Sequence, residues 1–330
     1  MASNMDMDRS ESGPRAAATF ADYVAIARLD HVTKHVLIVP GAVFAYLLRG
    51  IHTDTLALGI VLGLATAVCI ASANYVINEF LDREFDKFHP TKSQRSAVQK
   101  DLKGGFVFLE WAILIVAGLA FATAGGHLML LAAVIFGLQG IFYNVPPLRT
   151  KDKPYLDVIS ESINNPVRLM IGWAMVDPTT LPPSSVLLLY WTGGAFLMTA
   201  KRLSEYREIT ASHGHELLAR YRASFAGYSE IRLTVCCFAY ALASTFVLAV
   251  FLMKYRIEYL LTVPVVILLF GWYLGLSMRP GSTAQKPEKL FRERGLMVLV
   301  AVLGVLFLLL TFVDIPLLEP LASQRYISIQ

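Results

Sequence analysis

Nine blocks of apolar residues, at 36–48, 56–77, 105–124, 127–145, 155–176, 185–200, 231–253, 259–278 and 296–318, take up most of this 330-residue chain. Several reach or pass the roughly 20 residues that a helix needs to cross hydrocarbon. The 185–200 block is shorter, and it spans only if its helix continues into 201–206. Hydrophobic residues make up 55% of the chain and charged ones 16%, against about 25% charged in an ordinary soluble domain. The blocks therefore predict an all-α membrane protein of nine transmembrane helices.

The basic residues give an independent test of topology. With the N-terminus inside, 24 of the 29 Lys and Arg fall on the cytoplasmic side. They are Arg9, Arg15, Arg28 and Lys34; Arg83, Lys87, Lys92, Arg95, Lys100 and Lys103; Arg149, Lys151 and Lys153; Lys201, Arg202, Arg207, Arg220, Arg222 and Arg232; and Arg279, Lys286, Lys289, Arg292 and Arg294. Only Arg49, Lys254, Arg256 and Arg325 fall outside, with Arg168 inside a span. This positive-inside bias requires an odd number of spans and places the C-terminus outside. The net charge of +4 thus reports topology and gives no reason to expect nucleic acid. Cys69, Cys236 and Cys237 lie in predicted spans, so neither a disulfide framework nor zinc-ligand spacing is present. Residues 1–19, mixed in charge and lacking the apolar core of a signal peptide, read as a disordered tail. Residues 20–330 then form one transmembrane domain, opened by an amphipathic interfacial helix at 20–35.

Three polar clusters interrupt the apolar pattern, all at cytoplasmic ends. Asn74, Asn78, Asp82 and Asp86 recur every four residues and line one drifting helical face. Carboxylates at membrane depth are costly and mark ion or substrate sites. Hard oxygen ligands suit Mg²⁺, which takes one or two carboxylates and completes its shell with substrate phosphate. Asn78, Asp82, Asp86 and Asp157 are the candidate ligands. The second cluster follows a polar loop containing Tyr143, Arg149 and Tyr155. It sets Asp157, Glu161, Asn164, Asn165 and Arg168 on one face, with Pro166 expected to kink the helix. The alternative for that face is an internal Glu161–Arg168 network that only fixes packing. The third cluster, 201–208, offers Lys201, Arg202 and Glu205, a phosphate-binding pair of cations beside an acid. Its alternative is a solvated helix end. His89 adjoins the first acidic stripe.

Together these motifs resemble the UbiA-type intramembrane prenyltransferase superfamily over about residues 20–318, and the resemblance implies nine transmembrane helices around a central cavity with cytoplasmic cap loops. Asn78-x₃-Asp82-x₃-Asp86 fits its first acidic motif and Asp157-x₃-Glu161 its second. Segments 86–92, 167–172, 200–205 and 287–294 are similar to the decaprenyl-phosphate phosphoribosyltransferase branch. Glu79 departs from that branch's usual Asp, Ser96 from its Arg–Pro pair, and 164–166 from its more apolar sequence. The resemblance implies Mg²⁺-dependent group transfer with diphosphate release, between a diphosphate-containing donor and a polyprenyl lipid. It implies catalytic roles for Asp82, Asp86, Asp157 and Glu161. Asn74, Asn78, Lys92, Arg95, Tyr143, Arg149, Arg168, Lys201, Arg202 and Glu205 would bind substrate. The branch suggests phosphoribose transfer from phosphoribosyl diphosphate to a polyprenyl phosphate, in a prokaryotic plasma membrane. Prenyl transfer to an aromatic acceptor is the second reading. A cation transporter is the third, although its polar residues should gather near the bilayer midplane and open to both faces.

Overall fold

The computed structural model describes residues 15–50, 55–285, 290 and 292–322. Of the predicted tail, residues 1–14 lie outside this set, as do Lys286, Arg325 and part of the 287–294 segment. Arg15–Thr19, by contrast, are placed: Ala16–Ala17 (β1) pairs in parallel with Lys100–Asp101 (β2), and Arg15 bonds Glu84 at 2.7 Å. Thr19 forms a capping box with Asp22 at the start of α1 (Phe20–Ile26). Both of that box's orphan backbone donors are thereby satisfied.

Helices form nearly everything else. They are α2 (Val39–Arg49), α3 (Leu56–Asp86), the short α4 (Ser96–Gln99), α5 (Gly104–Ala124), α6 (His127–Asn144), α7 (Leu156–Ser162), α8 (Asn164–Ala174), α9 (Ser184–His213), α10 (His215–Tyr221), α11 (Glu230–Tyr255), α12 (Val263–Ser277) and α13 (Arg294–Phe312). Among the described residues, six helical stretches are long and apolar enough to cross a membrane by length and composition. These are α3, α5, α6, α11, α12 with its lead-in from Ile257, and α13. In hydrocarbon each backbone N–H and C=O must be paired within the segment, which makes helix the only open choice for such blocks.

The remaining blocks fold with more irregularity. The first yields α2, a short apolar helix. The 185–200 block does run on through the charged cluster as one 30-residue helix, α9. The 155–176 block breaks at Ile163 into α7 and α8. Pro166 explains the break: it has no N–H, and its ring crowds the carbonyl four residues back, at Ser162. Placed in the first turn of α8, that proline is tolerated.

Two cores result. One joins α2, α3, α6 and α8 around Trp173, Phe136, Ile70 and Met129. The other joins α9–α12 around Phe196, Leu203, Leu218, Phe225 and Tyr273. Outside them, Phe106, Ile113, Val116, Phe246, Leu268 and Val305 are exposed. Apolar surface on this scale, circling whole helices, belongs to a protein embedded in lipid. The chain is an integral membrane protein.

The length of α3 sets the height of its polar end. Its 31 residues rise about 46 Å at 1.5 Å each, against about 30 Å of hydrocarbon. The end carrying Asp82 and Asp86 can therefore stand clear of the bilayer core.

Helix α2 crosses α8 at a pair of glycines. A Cβ on Gly41 would overlap the Leu169 carbonyl, and one on Gly172 the Ile38 carbonyl oxygen. Small residues let the backbones meet where the hydrophobic effect supplies no drive between helices. Gly172→Val should cost about 1–3 kcal/mol through overpacking, read as a lower melting temperature in detergent.

At the opposite end from the site, buried Asp177 accepts from Thr179 N (3.0 Å), Thr179 Oγ1 (2.6 Å), Thr180 Oγ1 (2.6 Å) and Arg49 Nε (3.0 Å). Burial works against its ionisation, but the donors from Thr179, Thr180 and Arg49 outweigh it and hold the carboxyl well below its usual value. A depressed carboxylate contributes stability above its unfolded pKa and loses it as pH falls. The melting-temperature gap between wild type and Asp177→Asn should therefore be full at pH 6 and shrink as pH is lowered below about 4.

Candidate active site

Helix α3 presents the first group of polar side chains, and they divide between two faces. Asn74 Nδ2 donates to the Phe136 carbonyl (2.9 Å) on α6. Asn78 Nδ2 donates to Asn144 Oδ1 (2.5 Å) and, more weakly, to Asp82 Oδ2 (3.3 Å). Asp82 Oδ1 receives Lys151 Nζ (2.6 Å) and Arg149 Nη2 (2.8 Å). Asp86 turns away from this group. It pairs with Arg95 (3.1 Å) and lies 3.7 Å from Lys92 Nζ. A four-residue step advances 400° on a helix of 3.6 residues per turn, so each step drifts about 40°. By Asp86 the stripe has moved round to meet Glu79, which shares Arg95 (2.8 Å) and also holds Arg28 (3.0 Å). Glu79 thus ties the interfacial segment and the cap loop to α3.

The loop between α6 and α7 delivers the cations to Asp82. Arg149 (φ 28°) and Tyr155 (φ 67°) both have positive φ, a conformation uncommon outside glycine and often found where function over-determines the backbone. Arg149 is held by Asp152 (2.5 Å) and the Asn144 carbonyl (3.2 Å). The Tyr155 N–H donates to Tyr228 Oη at 2.6 Å. Lys151 is buried and also bonds Asn144 Oδ1 (2.8 Å). Burial pushes its ammonium down to about 8, against the pull of Asp82.

A second group centres on Arg202 of α9, which is 3% exposed. Its guanidinium reaches Asp157 (3.2 Å), Glu161 (3.4 Å) and Glu205 (3.2 Å). It is the shared counter-ion of three acids. Arg202 and Glu205 pair at i, i+3 on α9. Lys201 itself is half-buried. Asp157, fully buried, accepts from Tyr228 Oη (2.5 Å) and Ser224 Oγ (3.2 Å). Tyr143 Oη donates to Glu161 (2.6 Å) and accepts from Arg222 (2.7 Å). Arg222 also stands 3.6 Å from Asp157. Burial opposes its charge, yet Tyr143, Asp157, Glu161 and Glu205 keep it protonated.

The two groups are stitched together from above. His89 Nε2 lies 3.4 Å from Glu205, and its ring packs edge-on against Tyr221. Lys92 sits over the Tyr221 ring at 5.5 Å. Loops after α3, α6 and α10 therefore converge on one polar floor. Arg168 is the exception among the expected site residues. It lies deeper, over the Phe136 ring at 5.0 Å, and no Glu161–Arg168 ion pair exists among the described residues.

Glycines make room for two carboxamides of this floor: a Cβ on Gly140 would overlap Asn74 Oδ1, and one on Gly194 would overlap Asn165 Nδ2. Among the described residues, no three His, Cys, Asp or Glu stand close enough to hold a metal ion alone. The four candidate ligands are not gathered at one point, since Asp86 faces Arg95 beside Glu79 and Asp157 is held by Arg202, Tyr228 and Ser224, but as hard oxygen donors they suit in kind a cation that brings phosphate ligands with it.

The sequence profile of the UbiA prenyltransferase family matches residues 37–294. The chain belongs to that family. It is 30% identical over 156 residues to protoheme IX farnesyltransferases of Bacillus thuringiensis and Bacillus cereus, a match covering 44% of this chain and 50% of each relative. The chain thus spans about half the length of the curated relatives it matches. Its fold is that of a UbiA homologue from Archaeoglobus fulgidus solved with DMAPP and Mg²⁺, with TM-score 0.65, 20% identity, and coverage of 88% of this chain and 100% of the other. The same protein bound to GPP and Mg²⁺ superposes with the same TM-score of 0.65. A digeranylgeranylglyceryl phosphate synthase structure matches with TM-score 0.61 at 15% identity over 88% and 97% of the two chains.

Within this UbiA-type site, sequence reasoning missed Lys151, Asn144, Arg222, Ser224 and Tyr228. Lys151 and Arg222 are loop cations that the charge count assigned to topology. Their signal was the aromatic residues beside them, at Tyr155, Tyr221 and Tyr228. The structure also fixes a stability ranking for the two neighbouring cations of α9. Arg202→Ala leaves three buried carboxylates short of a partner and should cost about 3–5 kcal/mol. Lys201→Ala, at a half-buried position, should cost less than about 1 kcal/mol. Melting curves of both variants in one detergent would show the ranking.

Proposed function

We propose that this UbiA-family chain is a Mg²⁺-dependent transferase that releases diphosphate, and that it moves phosphoribose from phosphoribosyl diphosphate to a polyprenyl phosphate. The observation that carries the reading is the charge inventory of the floor. Six carboxylates (Glu79, Asp82, Asp86, Asp157, Glu161 and Glu205) are interleaved with seven Lys and Arg side chains (Arg28, Lys92, Arg95, Arg149, Lys151, Arg202 and Arg222). Arg28 stays with Glu79 and Arg202 with Asp157, Glu161 and Glu205, which leaves Lys92, Arg95, Arg149, Lys151 and Arg222 for the donor. A donor with a further phosphate on its sugar uses more of them. The relatives named as farnesyltransferases, and the neighbours solved with DMAPP or GPP, favour a second reading in which the donor is a prenyl diphosphate.

Asn78, Asp82, Asp86 and Asp157 would hold Mg²⁺, which supplies charge neutralisation at the departing diphosphate. On donor arrival Arg149 and Lys151 would exchange Asp82 for phosphate oxygens. Lys92 and Arg95 would do the same from Asp86. Arg222, hydrogen-bonded to Tyr143, can reach a phosphate without leaving the site. Arg202 stays paired with Asp157, Glu161 and Glu205 and fixes their geometry.

In the transfer, an oxygen of the acceptor phosphate attacks the anomeric carbon. The carbon–oxygen bond to diphosphate breaks, and its electron pair leaves with the diphosphate. The product is a phosphodiester. A phosphate dianion is already the nucleophile, so no general base is required, which agrees with Asp157 being locked by Tyr228 and Ser224. Cap loops over the floor exclude water that would otherwise capture the oxocarbenium-like centre. The positive-inside bias places this face, and the N-terminus, on the cytoplasmic side, with the nine apolar blocks counted as nine crossings.

Purified protein with Mg²⁺, polyprenyl phosphate and phosphoribosyl diphosphate should yield a phosphoribosylated lipid and pyrophosphate, read by mass spectrometry of the lipid phase. Product only from prenyl diphosphate with an aromatic acceptor would replace the donor assignment with the second reading. Asp82→Asn and Asp86→Asn should each lower the rate at least about 100-fold, because each removes a charged ligand of the leaving group. Near-normal turnover of either variant at saturating Mg²⁺ would contradict the site.

A further inference from the structure

His89 adjoins the first acidic stripe, and the transfer chemistry gives it no part. It stands three residues past the end of α3, half-buried, at the start of the turn that carries Lys92 and Arg95. Both of its ring nitrogens are engaged. Nδ1 faces the backbone N–H of Thr91 at 3.2 Å, the backbone N–H of Lys92 at 3.3 Å and the Thr91 hydroxyl at 3.3 Å. Nε2 faces Glu205 Oε1 on α9 at 3.4 Å. Tyr221 packs edge-on against the ring, with 4.7 Å between centroids.

Backbone amides only donate, so Nδ1 is an acceptor here and carries no proton. The partner of one ring nitrogen sets the state of the other, which puts the ring proton on Nε2, aimed at a carboxylate. An acceptor nitrogen folded back on its own turn copies an Asx turn, in which a side-chain oxygen accepts from the N–H two residues on. The effect passes down the chain. The Lys92 carbonyl accepts from Arg95 N–H (3.0 Å), and the Arg95 carbonyl accepts from the N–H groups of Val98 and Gln99 (3.0 Å each). Holding the Lys92 N–H therefore holds the backbone from which both cations project toward Asp86. At the far side Glu205 is itself fixed by Arg202 at 3.2 Å, so the turn is referred to a buried point on another helix.

We propose that His89 is a positioning residue: in its Nε2–H tautomer, with Glu205 and Tyr221 orienting the ring, its Nδ1 shapes the 89–95 turn and so aims Lys92 and Arg95 at the diphosphate of the donor. The assignment rests on the reading of Lys92 and Arg95 as donor ligands, and it holds for a phosphoribosyl or a prenyl donor, since both leave pyrophosphate. Lys92 reaches its target on a flexible four-carbon stem, so the place of its backbone decides where the ammonium arrives. Misplacing a binding group by about 1 Å can cost on the order of 100-fold. A histidine that only stitched helix ends together would act through Glu205, and any side chain restoring that contact would serve.

The two ring nitrogens can be tested apart. In His89→Asn the side-chain oxygen can still accept from Thr91 and Lys92, but the side chain is too short to reach Glu205. In His89→Gln the amide nitrogen can reach Glu205, and the turn loses its acceptor. His89 belongs to neither core, so these chains are expected to fold. The measurement is Mg²⁺-dependent binding of inorganic pyrophosphate to the full chain in detergent. His89→Asn should keep Kd within about threefold of wild type, while His89→Gln and His89→Ala should each weaken it at least about tenfold. In turnover the His89→Gln loss should fall on the donor KM and leave the lipid KM unchanged. In a Lys92→Met chain, His89→Gln should weaken binding by less than it does in wild type, because a residue acting through another is not additive with it. His89→Gln binding like wild type, His89→Asn failing with His89→Ala, or full additivity with Lys92→Met overturns the positioning role. If wild type still binds pyrophosphate and turns over in that case, the transferase reading stands. Wild type that binds no pyrophosphate overturns both.

Discussion

The whole structure depends on neutralising carboxylates at the end of an apolar bundle. An isolated carboxylate in low dielectric costs several kcal/mol even after relaxation, and here six gather on one floor. Each has a basic partner at 3.4 Å or closer. Several of the partners come from elements far apart in sequence, and this ties the two cores together. Arg202 on α9 holds Asp157 and Glu161 on α7. His89, just after α3, reaches Glu205 on α9. Arg222, after α10, reaches Tyr143 on α6. Lipid-embedded helices gain little from mutual apolar contact, so these charged contacts carry much of what fixes these helix ends.

That solution makes the ligand-free state a network of internal ion pairs, and it shapes what can bind. Adding only a cation to a balanced floor leaves the displaced Lys and Arg side chains unpaired. Adding only a polyphosphate strands the carboxylates. A metal–diphosphate pair satisfies both sets by partner exchange, with little change in net charge. The floor is thus matched to a ligand that is itself an ion pair. Because the partners already stand in place, their reorganisation on binding is small, which is the condition for electrostatic stabilisation of a leaving group.

Much of this was legible in the chain. The apolar blocks fixed helices wherever composition was uniform, as in α3, α5, α6, α11 and α13. The recurrence of Asn74, Asn78 and Asp82 located the face of α3 that meets α6, because a helix converts a spacing of four into adjacency. Irregular segments were harder. The split into α7 and α8 follows from Pro166, but its position at Ile163 depends on packing. Asp86 left the stripe because the 40° drift per step, small over one interval, adds up over three. Lys151 and Arg222 could not be told from topological charge, since a positive-inside loop and a phosphate-binding loop have the same composition. Only the fold shows that Lys151 is buried against Asp82 while Lys153, two residues on, is not.

The Glu79 substitution in the first motif shows how such a site can vary while its chemistry is kept. The carboxylate there points away from Asp82 and toward Arg28 and Arg95. Its longer side chain lets it hold two guanidiniums from the interfacial segment and the cap loop, while Asp86 shares the second. A residue that marks only a departure from the branch's usual Asp in sequence is, in space, an anchor for the interfacial segment and the cap loop. The constraint acting on this position is therefore charge and reach toward Arg95. Positions 82 and 86, by contrast, carry the carboxylates on which the proposed metal ligation rests.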